Sequence, residues 1–152
     1  MRIIIINGPN LNLLGRRETS IYGTLSMEQV LLDIQRTYPE VYFKYYQSNH
    51  EGDLIDWIQA FGGEQQESAE AKSEKAIGMV LNAGGYTHTS IALRDAVACS
   101  EVPIVEVHIT DITQREEFRR VSLLTDVCAH TIMGQGTNGY KQAIEWIINK
   151  QA

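Results

Sequence analysis

Residues 2–10 read Arg2-Ile3-Ile4-Ile5-Ile6-Asn7-Gly8-Pro9-Asn10. From Ile3 to Ile6 every side chain is apolar and β-branched, so neither face of the segment suits water. The run stops at the turn-forming Asn7-Gly8-Pro9. This pattern predicts a strand buried on both sides, as in a parallel sheet covered by helices. The run is also too short for a signal peptide, and no stretch approaches the length of a membrane span.

Outward from that strand, helical and extended patterns alternate. Ser26 offers an N-cap and Gln29 completes a capping box, with Met27, Val30, Leu31 and Ile34 following at helical spacing. Pro39 marks the exit, and Val41 to Tyr46 is β-branched and aromatic, hence strand. Asp53 reads as the next cap, ahead of Leu54, Trp57, Ile58 and Phe61 on one helical face. Ile77 to Leu81 restores a strand, Thr89 or Ser90 opens a helix through Cys99, and Pro103 to His108 is a fourth strand. A short helical turn is expected over about Arg115 to Arg119, and a fifth strand over Val127 to Met133. A last helix starts near Asn138, with Tyr140, Ala143, Ile144, Ile147 and Ile148 inward. Residues 62–75 are polar and aperiodic and read as a surface excursion with a solvated face.

A β-α unit repeated five times predicts a parallel sheet with helices on both faces, and the flavodoxin-like strand order is expected over a longer Rossmann sheet. The 152 residues fit one domain, 1–152. The net charge of −6 and the lack of a long basic run argue against nucleic acid as a partner. Cys99 and Cys128 have no metal or redox spacing and read as buried thiols in a reducing cytoplasm. Gly134-Gln135-Gly136-Thr137-Asn138-Gly139 matches G-x-G-x-x-G, but no further strand and acidic residue follow. It reads as a glycine turn packing the last helix.

In open parallel sheets ligands bind beyond the carboxyl ends of the strands, so polar residues just after strands carry the interest. The first cluster runs from Asn7 and Asn10 through Arg17 to Tyr22, with glycines near both ends that suit a lid over about residues 16–24. Free tyrosine titrates near ~10 and a close guanidinium favours the phenolate; an aromatic surface loop is the plainer reading. The second cluster is Asn82 to Ser90. Its glycines and the helix start can receive an anion, while Asn82 and His88 can read hydroxyls; a glycine turn with a helix cap also explains it, except for His88. The third is Glu106 to Thr110 with Arg115 and Arg119. Strand periodicity puts Glu106 and His108 on one face, where a carboxylate orients the imidazole as a general acid. The alternative is a satisfied histidine before an exposed basic helix. A metal on His88, Glu106 and His108 has no recognised zinc spacing.

Taken together, INGPNLNLLG (6–15), RRE (16–18), IYG (21–23), LNAGGYTHTSIALRDA (81–96), VEVHIT (105–110) and REEFR (115–119) resemble the type II 3-dehydroquinate dehydratases, in order over nearly the whole chain. The resemblance implies a flavodoxin-like fold, no cofactor, no metal, and a homo-oligomer, a dodecamer built from four trimers. It implies that Tyr22 removes a proton from C2 of 3-dehydroquinate, that Arg17 holds it as phenolate, and that Asn10 positions a water against the enolate oxygen. His108 would protonate the departing C1 hydroxyl, with Glu106 tuning it. Asn82, His88, Ile109, Thr110 and Arg119 match substrate-binding positions, with the Ile109 and Thr110 amides on the substrate carboxylate. Asp95 matches a residue reaching into a neighbouring subunit's site. The other dehydratase class forms an imine through lysine, and Lys44, Lys72, Lys75, Lys141 and Lys150 lie outside the three clusters. The chain departs from the family pattern at Thr19 and Ser20, where the lid usually carries proline, and at Asp111 and Thr113. A non-catalytic flavodoxin-like binding domain lacks its expected acids or phosphate loop after the first strand, and a hydrolase lacks G-x-S-x-G.

Overall fold

The computed structural model describes residues 1–63 and 76–152. Strands β1 (Arg2–Asn7), β2 (Tyr42–Gln47), β3 (Ala76–Asn82), β4 (Ile104–His108) and β5 (His130–Met133) alternate with helices. These are the four-residue turn α1 (Thr19–Tyr22), then α2 (Met27–Thr37), α3 (Glu51–Gly62), α4 (Ile91–Ala98) and α5 (Asn138–Lys150). The strands are all parallel, in the order β2-β1-β3-β4-β5. This is the flavodoxin-like order anticipated from the alternation.

Burial follows the strand period. Ile3 and Ile5 of β1 join Val80, Val105 and Val107 beneath α2 and α5, while Ile4 and Ile6 join Met79, Leu81 and Ile104 beneath α3 and α4. All four isoleucines are fully buried, each contributing about 1.5–3 kcal/mol of transfer free energy. That is why β1 sits in the sheet's interior.

Helix starts follow local chemistry. At α2 the Ser26 hydroxyl accepts from the Gln29 amide and the Gln29 side chain accepts from the Ser26 amide, a complete capping box. Ser90 caps α4 by accepting from the Leu93 amide at 2.9 Å. Helix α3 begins earlier than its sequence suggests. His50 occupies the N-cap, and Asp53 lies in the first turn, where its carboxylate accepts from Ser48 Oγ at 2.6 Å. An acid there also faces the positive end of the helix dipole.

Three other expectations need correction. Residues 127–129 do not extend β5, because the Val127 and Cys128 amides bond back to the Leu124 carbonyl. Arg115 and Arg119 do not share a helix. Separate 3₁₀ turns cover Ile112–Gln114 and Glu117–Arg119, and Arg115 is extended between them. Cys99 is exposed at the end of α4, and Cys128 is half-buried. The glycine turn before α5 behaves as expected. Gly134 and Gly136 have φ of 76° and 59°, their amides reach the His108 and Ile109 carbonyls, and Gly139 packs on Val107 and Ile132. The polar stretch 62–75 begins as the last turn of α3, and beyond Gly63 it lies outside the described residues. Among the described residues no helix is long and apolar enough to cross a membrane.

Candidate active site

The strands end in register, and that register assembles the site. Asn7 pairs with Gln47 on one side and with Asn82 on the other, so the first and second polar clusters leave the sheet side by side. Beyond them the chain turns sharply. Gly8 passes so close to Ala83 that a Cβ there would lie 2.3 Å from the Ala83 carbonyl oxygen. Asn10 takes the left-handed conformation at φ 69°, which asparagine tolerates, and its amide bonds the Asn49 side chain at 3.0 Å.

A cavity of about 190 Å³ lies beyond the carboxyl edge of β1, β3 and β4. Asn10, Arg17 and Tyr22 line it from the first loop, Asn82 and His88 from the second, and His108, Ile109, Thr110, Arg115 and Arg119 from the third. Ten of the residues singled out by sequence therefore meet around one space. Two do not line it: Glu106 lies behind His108, and Asp95 is exposed on α4.

Tyr22 ends α1, and the segment bearing it is bracketed by Gly15 and Gly23, with φ of 86° and 84°. The Arg17 guanidinium lies over the Tyr22 ring, 4.8 Å from its centroid, and also pairs with Glu18 at 3.0 Å. Direct contact with the phenolic oxygen comes from another residue. Arg115 Nη1 donates to it at 2.7 Å, and the Arg115 guanidinium carbon lies 5.4 Å from the same ring. A phenolate at Tyr22 therefore has two cations within reach. Sequence reading placed Arg115 in the third cluster, able to meet a carboxylate or hydroxyl, without naming which. No signal in the chain ties it to a residue 93 positions away.

In the same cavity His108 is buried at the end of β4, with Nε2 at 2.5 Å from Glu106 Oε1. Burial alone would raise the Glu106 carboxyl. The hydrogen bond and charge of His108, then the Ser122 and Thr125 hydroxyls, outweigh it and hold Glu106 below the ordinary carboxylate range. Asn82 is fixed from beneath. Its side-chain nitrogen donates to the Tyr140 hydroxyl at 3.1 Å, Tyr140 donates to Asn7 Oδ1 at 2.8 Å, and Asn82 Oδ1 accepts from the Gly84 amide at 3.2 Å. His88 is oriented by Nδ1 at 2.8 Å from the Val121 carbonyl. The metal grouping weighed from sequence does not form among the described residues. Arg119 pairs with Glu116 at 3.2 Å, and Asp111 caps the 3₁₀ turn after β4 by accepting from the Thr113 amide and hydroxyl at 3.0 and 2.6 Å.

Known proteins share this arrangement of sequence and fold. The family model described as dehydroquinase class II matches residues 1–148. A 3-dehydroquinate dehydratase of Fusobacterium nucleatum is 44% identical, covering 97% of each chain. One from Halothermothrix orenii is 45% identical over 97% of this chain and 94% of its own. The crystal structure of a type II dehydroquinase from Butyrivibrio crossotus superposes with a TM-score of 0.85 at 43% identity, covering 97% of each chain. Identity and coverage of this order, on one topology, place the chain in the class II dehydroquinase family.

Proposed function

We propose that this chain is a type II 3-dehydroquinate dehydratase, a hydro-lyase of the shikimate pathway, and that the cavity at the carboxyl edge of the sheet is its active site. The observation that carries the site assignment is the sharing of one cavity by the Tyr22 hydroxyl, held by Arg115, and by His108, backed by the Glu106 carboxylate. Elimination next to a ketone needs a base for the carbon acid, a stabilised enolate and an acid for the leaving hydroxyl. A phenolate and an imidazolium across one cavity supply the first and the last.

In this reading Tyr22, as phenolate, takes the proton from C2, with Arg17 and Arg115 holding the anion before transfer. The electron pair of the C–H bond moves to the carbonyl oxygen, where Asn10 positions a water. The enolate then re-forms the carbonyl, C1 and C2 become doubly bonded, and the C1 oxygen leaves with its electron pair and a proton from His108 as water. The proton on Tyr22 returns to His108 through solvent, which closes the cycle. Asn82, His88 and Arg119 hold the hydroxyls, and the Ile109 and Thr110 amides hold the carboxylate. Glu106 acts through His108 and is a positioning residue. The segment from about residue 16 to 24 works as a lid hinged at its glycines.

Residues 1–152 form one catalytic domain in a cytoplasmic homo-oligomer, a dodecamer built from four trimers, in which Asp95 reaches a neighbouring subunit's site. Its exposed position on α4, away from its own cavity, supports that reading. Light scattering measures the assembly, and Asp95→Ala is expected to raise KM only where the site is shared.

Purified protein mixed with 3-dehydroquinate tests the activity. The enone absorbance of 3-dehydroshikimate is expected to grow, with or without chelator, and borohydride added with substrate is expected to leave the enzyme active. Absence of turnover, or covalent trapping by borohydride, contradicts the reading.

A further inference from the structure

The Glu106 carboxylate is 1% exposed, yet all its acceptor positions are filled. Oε1 faces His108 Nε2 at 2.5 Å and also accepts from the Ser122 hydroxyl. Oε2 accepts from Thr125 Oγ1 at 2.8 Å and from Thr131 Oγ1 at 2.9 Å. A carboxylate offers about four such positions. The Ser122 oxygen itself accepts from the Leu124 amide at 3.1 Å, so its proton is directed to Glu106.

The cradle is built by the fold. Thr131 lies directly opposite Glu106 in the β4–β5 register. Ser122 and Thr125 come from a loop that Arg94 of α4 clamps, bonding the Leu123 carbonyl at 2.6 Å and gripping the Asp126 carboxylate through its two terminal guanidinium nitrogens. The Leu123 amide ties the same loop to the Thr87 carbonyl at 2.9 Å.

We propose that Ser122, Thr125 and Thr131 are positioning residues whose hydroxyls keep Glu106 anionic throughout turnover, so that it fixes the His108 tautomer and never takes a proton from it. The catalytic part of this proposal rests on the dehydratase reading. Each of these hydroxyl bonds is stronger to an anionic acceptor than to a neutral carboxyl, so the three together oppose protonation of Glu106. With Glu106 anionic, His108 Nε2 carries a hydrogen at all times and Nδ1 exchanges the proton with the ligand. When Nδ1 gives its proton to the departing hydroxyl, the oxygen leaves as water with the C–O electron pair, and the neutral ring stays bonded to Glu106 through Nε2–H.

The remaining charged and titratable groups near Glu106 agree. Burial, then the charge of Glu106, pushes the Cys128 thiol up to about 12, so it stays neutral beside the carboxylate. Asp126 is neutralised by Arg94, and His130, next to Thr131 on β5, stacks on Trp146 with ring centroids 5.3 Å apart. The low position of the Glu106 carboxyl has, after His108, the Ser122 and Thr125 hydroxyls among its causes.

The test replaces the hydroxyls with methyls in Thr125→Val/Thr131→Val and restores them in Thr125→Ser/Thr131→Ser. The valine pair is expected to lose kcat about tenfold, with KM nearly unchanged, and to move the acid limb of the kcat profile upward in pH; the serine pair is expected to recover both. A valine pair with the kcat and pH profile of the unaltered enzyme overturns the proposal. Nitrogen-15 spectra of the His108 ring in the unaltered protein decide the matter if the valine pair does not fold. A protonated Nε2 that persists across the working pH range is expected, and a ring protonated at Nδ1 alone overturns the proposal. The tautomer is read without substrate, so a failure of the dehydratase reading leaves this result standing on its own.

Discussion

Arg115 Nη1 donates to the Tyr22 phenolic oxygen at 2.7 Å, joining the loop after β1 to the loop after β4 across 93 positions of sequence. This guanidinium, and not that of Arg17, touches the oxygen proposed to act as the base. Arg17 stays over the ring face and shares itself with Glu18. Arg115→Ala is therefore expected to lower kcat by about 100-fold or more, the scale of removing one preorganised donor. Arg115→Lys is expected to recover only part, because an ammonium is a point charge without the planar fork. Steady-state kinetics on both variants check this, and an alanine variant with near-normal kcat contradicts it.

Tyr140 supports Asn82 from within the core. Its hydroxyl is buried between Asn82 and Asn7, and burial, opposed by those two hydrogen bonds, pushes the phenol up. Tyr140→Phe leaves two buried amides short of a partner, which costs about 1–3 kcal/mol. Urea denaturation should show that loss. Substrate KM is expected to rise as Asn82 loosens, with kcat less affected.

An added methyl is expected to act with opposite signs at Gly8 and Gly52. A Cβ at Gly8 would meet the Ala83 carbonyl oxygen at 2.3 Å and the carbonyl carbon at 2.6 Å, both backbone atoms that cannot yield cheaply. Gly8→Ala is expected to destabilise by about 1–3 kcal/mol and to damage activity, since the same contact aligns the first two clusters. Gly52 in α3 has open space around its missing Cβ. Gly52→Ala is expected to stabilise by up to about 1 kcal/mol with activity intact. Thermal unfolding of the two variants reads both signs.

Much of this arrangement is legible in the chain. The unbroken Ile3–Ile6 run, the capping box at Ser26 and the strand–loop alternation are local signals, and each corresponds to an observed element. The cavity-lining residues are legible because an open parallel sheet collects whatever follows its strands. The failures are non-local. Arg115 finds Tyr22, and Ser122, Thr125 and Thr131 find Glu106, only through tertiary contact; serines and threonines carry no mark of such a task. Asp53 resembles a cap because its carboxylate does serve a helix start, through Ser48 and from inside the first turn. Val127 and Cys128 have strand-like side chains, but their amides are already committed to Leu124.

Glu106 gives the fold a pH dependence of definite sign. Its carboxyl is depressed in the folded protein from an ordinary value of 4.5. A depressed carboxyl contributes stability that is fully present above the unfolded value and is lost as pH falls through the folded one. The stability advantage of the unaltered protein over Glu106→Gln is thus expected to hold above pH 4.5 and to shrink below it. Melting temperatures across pH 3 to 7 test this (roughly the range over which a depressed carboxylate is lost), and an advantage that grows on acidification contradicts it.

The proposed role of Tyr22 is that of the base that takes the C2 proton. It is tested most directly by kcat of Tyr22→Phe with 3-dehydroquinate, alongside substrate affinity measured by calorimetry. A loss of kcat of about 10²–10⁴-fold is predicted, the range for removal of a general base, with affinity changed little. A phenylalanine variant that turns over at nearly the unaltered rate contradicts the account.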